Sequence, residues 1–264
     1  MFSTGEAPAY VIAATPRTGS SWLCGLLCSL GYAGFPVEYA REIDEQVWRS
    51  AYGLPSHAAY FWSLPARSST PNGIFGLKVL WMQLLPLVHD IHRYTACRGP
   101  SEELTIAYWM GHPTYFWLRR RDPLRQAVSL KRAEQTDRWA STQAGNGFSP
   151  FYSRAGIERA LARIAREEAG WTAYFDASAA PVTELWYEDL AADPGAVLEF
   201  ITDTLGLPKP AGWRSLMERQ ADRLNDEWVD EFERDTARPG APRRPGRGGR
   251  TWSGGLHEVV ALDP

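Results

Sequence analysis

Residues 10–30 read YVIAATPRTGSSWLCGLLCSL, and the order of residue types in them decides the fold class. The first five, YVIAA, are apolar and partly β-branched, as a buried strand requires. Turn formers follow at once: Thr15, Pro16, Arg17, Thr18 and Gly19. Residues 20–30 then read as a largely buried helix that ends at Gly31. Strand, tight turn and helix in this order open a parallel α/β sheet. Three more apolar runs repeat the strand, at 74–80 (IFGLKVL), 114–118 (TYFWL) and 182–186 (VTELW). Helical patterns alternate with them. Asp122 is placed to cap a helix starting at Pro123, with an apolar face through Ala127, Leu130 and Ala133. Asp193 caps another that starts at Pro194 and ends at Gly206, and 157–175 and 215–234 have helical spacing. Strands alternating with helices predict one α/β domain over residues 1–236. Its central parallel sheet is flanked by helices on both faces.

The chain has 264 residues and a formal charge of −3, from 28 Lys+Arg against 31 Asp+Glu. A single α/β domain reaches roughly 250 residues, so one domain suits this length. Such a chain buries about three quarters of its unfolded surface and needs no disulfide or metal staple. The mildly acidic whole argues against a nucleic-acid partner and leaves room for a local cationic pocket. Cys24, Cys28 and Cys97 are too few and too irregular for a disulfide framework, and five scattered histidines supply no H-x-x-x-H pair. No metal site is expected. Neither a signal-like N-terminus nor an apolar run of roughly 18 residues is visible, so a cytoplasmic protein without a membrane span is expected.

Residues 39–69 and 136–153 are weakly patterned and read as long loops, of the kind that form lids or substrate walls. Residues 237–255 hold five arginines, no acid and many Pro and Gly. The segment 237–264 therefore reads as a flexible tail.

Two stretches point to anions. The first is TPRTGSS at 15–21, between a strand and a helix N-terminus. Such a loop aims backbone N–H groups at one point, where the helix dipole adds partial positive charge. Arg17 adds a full charge, and Thr18, Ser20 and Ser21 add hydroxyl donors. It is not a Walker A loop, because G-x-x-x-x-G-K-[ST] is absent, nor a dinucleotide fingerprint, because G-x-G-x-x-G is absent. A capped polar turn is the plainer reading. The second stretch is RRRDPLRQAVS at 119–129, which closes a strand with three arginines. Arg121 and Ser129 lie eight residues apart and reach one phosphate if the helix folds back over the strand end. A solvated cluster paired to local acids is the alternative. Two anion sites on neighbouring strand ends suggest one ligand with two separated anionic groups.

The pair TPRTGSS and RRRDPLRQAVS resembles the two nucleotide signatures of sulfotransferases that use 3′-phosphoadenosine 5′-phosphosulfate (PAPS). The resemblance is nearer to the bacterial trehalose 2-sulfotransferase family than to the eukaryotic cytosolic enzymes. GYAGFPVEYA at 31–40, NGIFGLKVLWMQ at 72–83, RAEQTDRWA at 132–140, YEDLAADP at 187–194 and ERQADRLNDEWVDEF at 218–232 extend it to roughly residues 8–235. The resemblance implies a P-loop-like nucleotide fold of the sulfotransferase type, and PAPS as donor, with 3′-phosphoadenosine 5′-phosphate as product and no metal. It implies that Arg17, Thr18, Gly19, Ser20 and Ser21 hold the 5′-phosphosulfate, and that Arg17 also neutralises the transferring group. Arg121 and Ser129 would hold the 3′-phosphate, and Tyr187 would approach the adenine. The family's general base is a Glu in a G-E-P-x-E segment, and Glu38 of GFPVE takes that place; the first Glu of the pattern is Phe35 here. The resemblance also suggests a homodimer.

The implied reaction is transfer of a sulfuryl group to a hydroxyl of a small metabolite, sugar or glycoside. A carboxylate within reach takes the hydroxyl proton as the new bond forms. The leaving phosphate needs cation and N–H stabilisation. Lys78, Trp81, Gln83 and Trp62 form a second tier of expected acceptor contacts, against packing roles for each. His57 and His112 are rivals to Glu38 as base. A nucleotide-dependent kinase and a non-catalytic nucleotide binder are the alternative functions. The missing Walker lysine and magnesium carboxylates speak against the first, and the joint presence of Arg17, Ser129 and Glu38 speaks against the second.

Overall fold

The structure, a computed structural model, describes residues 8–39, 42–97, 99–140, 143–214 and 223–237. Four strands form one sheet: β1 (Ala9–Ala14), β2 (Phe75–Leu80), β3 (Thr114–Arg119) and β4 (Val182–Trp186). All three pairings are parallel, in the order β2-β1-β3-β4. The helices are α1 (Ser20–Leu30), α2 (Glu42–Tyr52), α3 (His57–Ser68), α4 (Trp81–Tyr94) and α5 (Glu102–Met110), then α6 (Pro123–Thr136), α7 (Arg154–Ser178), α8 (Tyr187–Ala192), α9 (Pro194–Thr204) and α10 (Arg223–Thr236).

The two-residue period of the strands divides the core. Val11, Ala13, Phe75, Leu77, Val79, Tyr115 and Trp117 face a layer closed by α3, α4, α5 and α7. Tyr10, Ile12, Phe116 and Leu118 face the opposite layer, against Leu23, Leu26 and Leu27 of α1 and Leu198 and Ile201 of α9. β1 is buried along Tyr10–Ala14 because it has strands on both edges and helices on both faces. This is why its sequence is a continuous apolar run rather than an alternating one. The chain leaves β1 to build β2 on one side, then crosses back to add β3 on the other. The strand order thus reverses between β1 and β3, and ligands of open α/β sheets bind outside the carboxyl ends of the strands at such a reversal.

The four strands lie where the apolar runs place them, to within a residue at each end. The caps also match: Asp122 Oδ1 accepts from the Arg125 amide at 2.8 Å, and Asp193 Oδ1 from the Ala196 amide at 3.0 Å. The expectation of a long loop over 39–69 is corrected. The segment holds α2 and α3, with Ser56 capping α3 through the Ala59 amide at 3.1 Å. Pro65 lies inside α3 and Pro86 inside α4, and these prolines mask helical periodicity. α4 and α5 fill the stretch between β2 and β3, where the sequence carries no clear helix signal. Residues 215–222 of the expected helix over 215–234, and the tail beyond residue 237, lie outside the described residues. No helix among the described residues is long and apolar enough to cross a membrane.

Candidate active site

The loop at 15–19 sits on the carboxyl end of β1 and is held from beneath. Arg17 (φ 68°) and Gly19 (φ 83°) both take the left-handed region, which folds the loop back toward the α1 N-terminus. Gly19 has a second constraint, since a Cβ there would lie 2.7 Å from Cδ2 of Tyr187. The Thr18 hydroxyl donates to the Thr15 carbonyl at 3.1 Å. Gln126, buried on α6, donates from Nε2 to Thr15 Oγ1 (2.9 Å) and to the Pro16 carbonyl (2.8 Å). Thr15 Oγ1 in turn donates to Glu168 Oε1 on α7 at 3.1 Å, and Glu168 Oε2 accepts from Arg119 Nε at 2.8 Å. Burial holds Glu168 above the usual carboxylate range, with Arg119 and Thr15 pulling the other way. The loop is thus tied to two helices before any ligand arrives.

Arg17 points along the crevice between β1 and α6. Its Nε donates to Ser129 Oγ at 3.0 Å and its Nη1 to the Trp139 carbonyl at 2.5 Å. Burial, followed by the neighbouring charges of Arg120 and Arg132, pulls its pKa down to about 10. A guanidinium disfavoured in this way gains from an arriving anion. Arg120 donates from Nη1 to the Arg17 carbonyl at 3.3 Å and lies 4.5 Å over the Tyr187 ring. The Arg121 guanidinium is engaged elsewhere, in a two-pronged pair with Asp189 at 2.8 Å on each prong. Ser129 therefore meets Arg17 directly, whereas Arg121 meets α8.

Glu38 reaches the loop by way of β2. Gly34 (φ 78°) turns the chain so that 34–38 runs alongside β2, where Val37 pairs with Leu77 and the Lys78 amide donates to the Val37 carbonyl at 3.1 Å. Gly76 makes this possible, because a Cβ there would lie 2.7 Å from the Tyr10 ring and 3.0 Å from Pro36. The register sets Glu38 beside Lys78, with Nζ 2.6 Å from Oε1. Lys78, 4% exposed, also donates to Ser21 Oγ at 2.8 Å. Gln83 Nε2 donates to Glu38 Oε2 at 2.5 Å while Gln83 Oε1 accepts the Leu80 amide at 2.9 Å, which fixes the orientation of its side-chain amide. A continuous polar chain therefore runs Ser21–Lys78–Glu38–Gln83. It opens on a cleft of about 1020 Å³ that Arg17, Ser20 and Ser21 line at one end and Met82, Trp139 and Gln143 elsewhere.

Of the second tier, Lys78 and Gln83 line this cleft, and they do so as partners of Glu38. Trp81 packs instead against Trp171 at 5.4 Å and fills the space over Gly170. Trp62 lies in a separate groove with Phe61 and Tyr108. His57 sits against Phe61, Tyr94 and Asp90. His112 precedes β3 and so stands at the opposite end of the sheet from the loop. Arg120, Gln126, Glu168 and Trp139 were missed as site residues. Gln126 had a signal: it falls three residues before Ser129, on the buried face of the same helix.

A strand–loop–helix turn at a strand reversal, beside a lysine–carboxylate pair opening on a cleft, is an arrangement that suits a group-transfer enzyme. The chain belongs to the Stf0 sulphotransferase family, whose model matches residues 9–235, and it is a sulfotransferase-family enzyme. It is 27% identical over 259 residues to the trehalose 2-sulfotransferase of Mycobacterium tuberculosis (strain ATCC 35801 / TMC 107 / Erdman), covering 88% of this chain and 97% of that protein. It is 27% identical over 260 residues to the trehalose 2-sulfotransferase of Mycolicibacterium smegmatis, covering 89% and 97%. The crystal structure of a sulfotransferase from Alicyclobacillus acidocaldarius matches 87% of this chain and 93% of that one, with 16% identity and a TM-score of 0.44.

Proposed function

We propose that this enzyme moves a sulfuryl group from PAPS to a hydroxyl of a small metabolite, sugar or glycoside, with Glu38 as general base. The observation that carries the proposal is the chain Ser21–Lys78–Glu38–Gln83, which links the anion-binding loop to a carboxylate across 2.8, 2.6 and 2.5 Å. The loop amides, Thr18, Ser20, Ser21 and Arg17 hold the 5′-phosphosulfate. The 3′-phosphate goes to the end of the crevice marked by Ser129 and the arginines that close β3. Tyr187, packed on Gly19, borders the nucleoside.

Sulfuryl transfer asks for an in-line nucleophile and a stabilised leaving anion, as phosphoryl transfer does. Glu38 accepts the acceptor proton as the oxygen–sulfur bond forms. Lys78 holds that carboxylate in place and lies against Ser21, where charge develops on the transferring group. Arg17 takes up the charge of the departing phosphate. The same reading includes a homodimer, supported by the family resemblance and tested by the mass in solution. Glu38→Gln tests the mechanism. Turnover is expected to fall by roughly 10²–10⁴, the worth of a general base, with affinity for 3′,5′-adenosine diphosphate (3′,5′-ADP) nearly unchanged. Wild-type turnover would remove Glu38 as base.

A further inference from the structure

Apart from the donor loop and Glu38, the cleft has a second set of walls, and Arg163 of α7 lies among them. Its Nε donates to Oε1 of the buried Glu167 at 2.7 Å, and its Nη1 lies 3.4 Å from Glu134 Oε1 on α6. Its Nη2 rests on Met82 Sδ of α4 at 3.2 Å. A thioether is a weak acceptor, so a hydroxyl oxygen entering the cleft is the better partner for that N–H. Met82 precedes Gln83, the partner of Glu38, and the guanidinium therefore faces the same cleft as the base.

Arg163 bridges α4 and α6, and an apolar bank stands beside each of these helices. On α4, Met82 and Leu85 lie three positions apart on one helix face. Next to α6, the rings of Phe148 and Phe151 pack edge to face with centroids 6.2 Å apart. All four side chains are half or more exposed. The phenylalanines are not exposed through slackness, because their loop is fastened to Gln135, the neighbour of Glu134. The Phe151 amide donates to Gln135 Oε1 at 2.9 Å, and the Phe151 carbonyl accepts from Gln135 Nε2 at 3.1 Å. Asn146 Nδ2 donates to the Gln135 carbonyl at 3.0 Å. The same segment supplies Gln143 and Gly145 to the cleft wall.

Exposed apolar side chains that the fold holds in place around a polar cleft mark a surface for apolar matter. During turnover the molecule in this mouth is the acceptor, because the donor fills the loop and the acceptor hydroxyl must reach Glu38. We propose that the acceptor is an amphiphilic hydroxyl compound. Its hydroxylated head enters the cleft to Glu38 and Arg163, and its apolar part leans on Met82 and Leu85 from one side and on Phe148 and Phe151 from the other. The inference rests on the reading of sulfuryl transfer with Glu38 as base, and it narrows the acceptor of that reaction.

The test is calorimetric titration of the full chain, saturated with 3′,5′-ADP, with matched acceptors that differ only in their apolar part. The probes are the methyl and octyl forms of β-glucoside, β-galactoside and β-maltoside, each kept below its micelle-forming concentration. In at least one pair the octyl form is expected to bind roughly tenfold or more tightly than the methyl form, the gain from sheltering about two methylenes. Leu85→Ser and Phe148→Ser change exposed side chains and are each expected to lower that ratio by roughly threefold or more. An octyl form with no advantage in any pair, or a ratio that neither substitution moves, overturns the inference. Sedimentation of the same samples tests a second copy of the chain as occupant. A dimer that either substitution splits, with the ratio unmoved, assigns the banks to a subunit face and overturns the inference. A protein that 3′,5′-ADP does not bind overturns the sulfuryl-transfer reading, and this inference with it; binding of 3′,5′-ADP without an octyl advantage overturns the inference alone.

Discussion

Arg17 is held in tension by its surroundings. Its folded pKa of about 10 lies below the ordinary guanidinium value, chiefly through burial. Between those values the unfolded chain binds more protons, so the stability linked to this group rises with pH there, and at neutral pH the full cost of the charge is present. Arg17→Gln removes that charge and keeps a donor. The ligand-free variant is expected to melt at or above the wild-type temperature and to lose the stabilisation by 3′,5′-ADP. A ligand-free melting point several degrees lower would contradict this account. Gln83 acts on Glu38 in a simpler way. Gln83→Leu removes the acceptor of the Leu80 amide and the donor that fixes Glu38 Oε2, so turnover is expected to drop by roughly tenfold or more while nucleotide affinity holds. An unchanged kcat would remove Gln83 from the positioning of the base. The strand–loop–helix turn at 15–21 was legible here, because turn residues, Arg17 and hydroxyls crowd into seven positions. That Lys78 and Gln83 serve Glu38 was not, because 40 and 45 residues separate them from it along the chain.

At the scale of elements, the site depends on how 34–38 lies along β2. Gly76→Ala puts a methyl within 2.7 Å of the Tyr10 ring and 3.0 Å of Pro36. Tyr10 cannot easily yield, since its hydroxyl donates to the Ala33 carbonyl at 2.6 Å. The variant is expected to displace the 34–38 segment, lowering turnover while leaving 3′,5′-ADP binding intact; equal losses in both would point to general unfolding instead. α6 offers the complementary case. Gln126→Leu removes the donor that Thr15 Oγ1 and the Pro16 carbonyl share, so nucleotide affinity is expected to fall along with stability, by about 1–3 kcal/mol for a buried acceptor left unsatisfied. Unaltered binding in a titration would show that the loop holds without α6. Strands and capped helices were legible because their signals are local: apolar runs, and Asp-Pro at 122–123 and 193–194. The helices α2 and α3 were not. α3 carries an internal Pro65, and Trp48 of α2 finds its partner Tyr39 only once the chain has folded.

At the scale of the molecule, parallel order and crossover place every chemical group at one end. The reversal between β1 and β3 sets the loop beside the arginines that close β3, and β2 brings Lys78 and Glu38 to the other side of the same loop. Phe116 lies in the middle of this sheet, fully buried against the α1 and α9 layer. Phe116→Ala is expected to cost about 3–5 kcal/mol, read as a lower melting temperature; a shift of under a degree would show that the layer repacks freely. The fold class followed from sequence because alternating strand and helix patterns admit few parallel arrangements. The separate fates of Arg119, Arg120 and Arg121 did not follow, because identical side chains in a row carry no signal of the carboxylates that await them. The most direct measurement is transfer of labelled sulfate from PAPS to a panel of hydroxyl compounds that includes trehalose, other sugars, glycosides and phenols, read by mass. The account predicts a sulfated product formed in equal amount with 3′,5′-ADP. Absence of transfer to every hydroxyl, together with no stabilisation by 3′,5′-ADP, would contradict it.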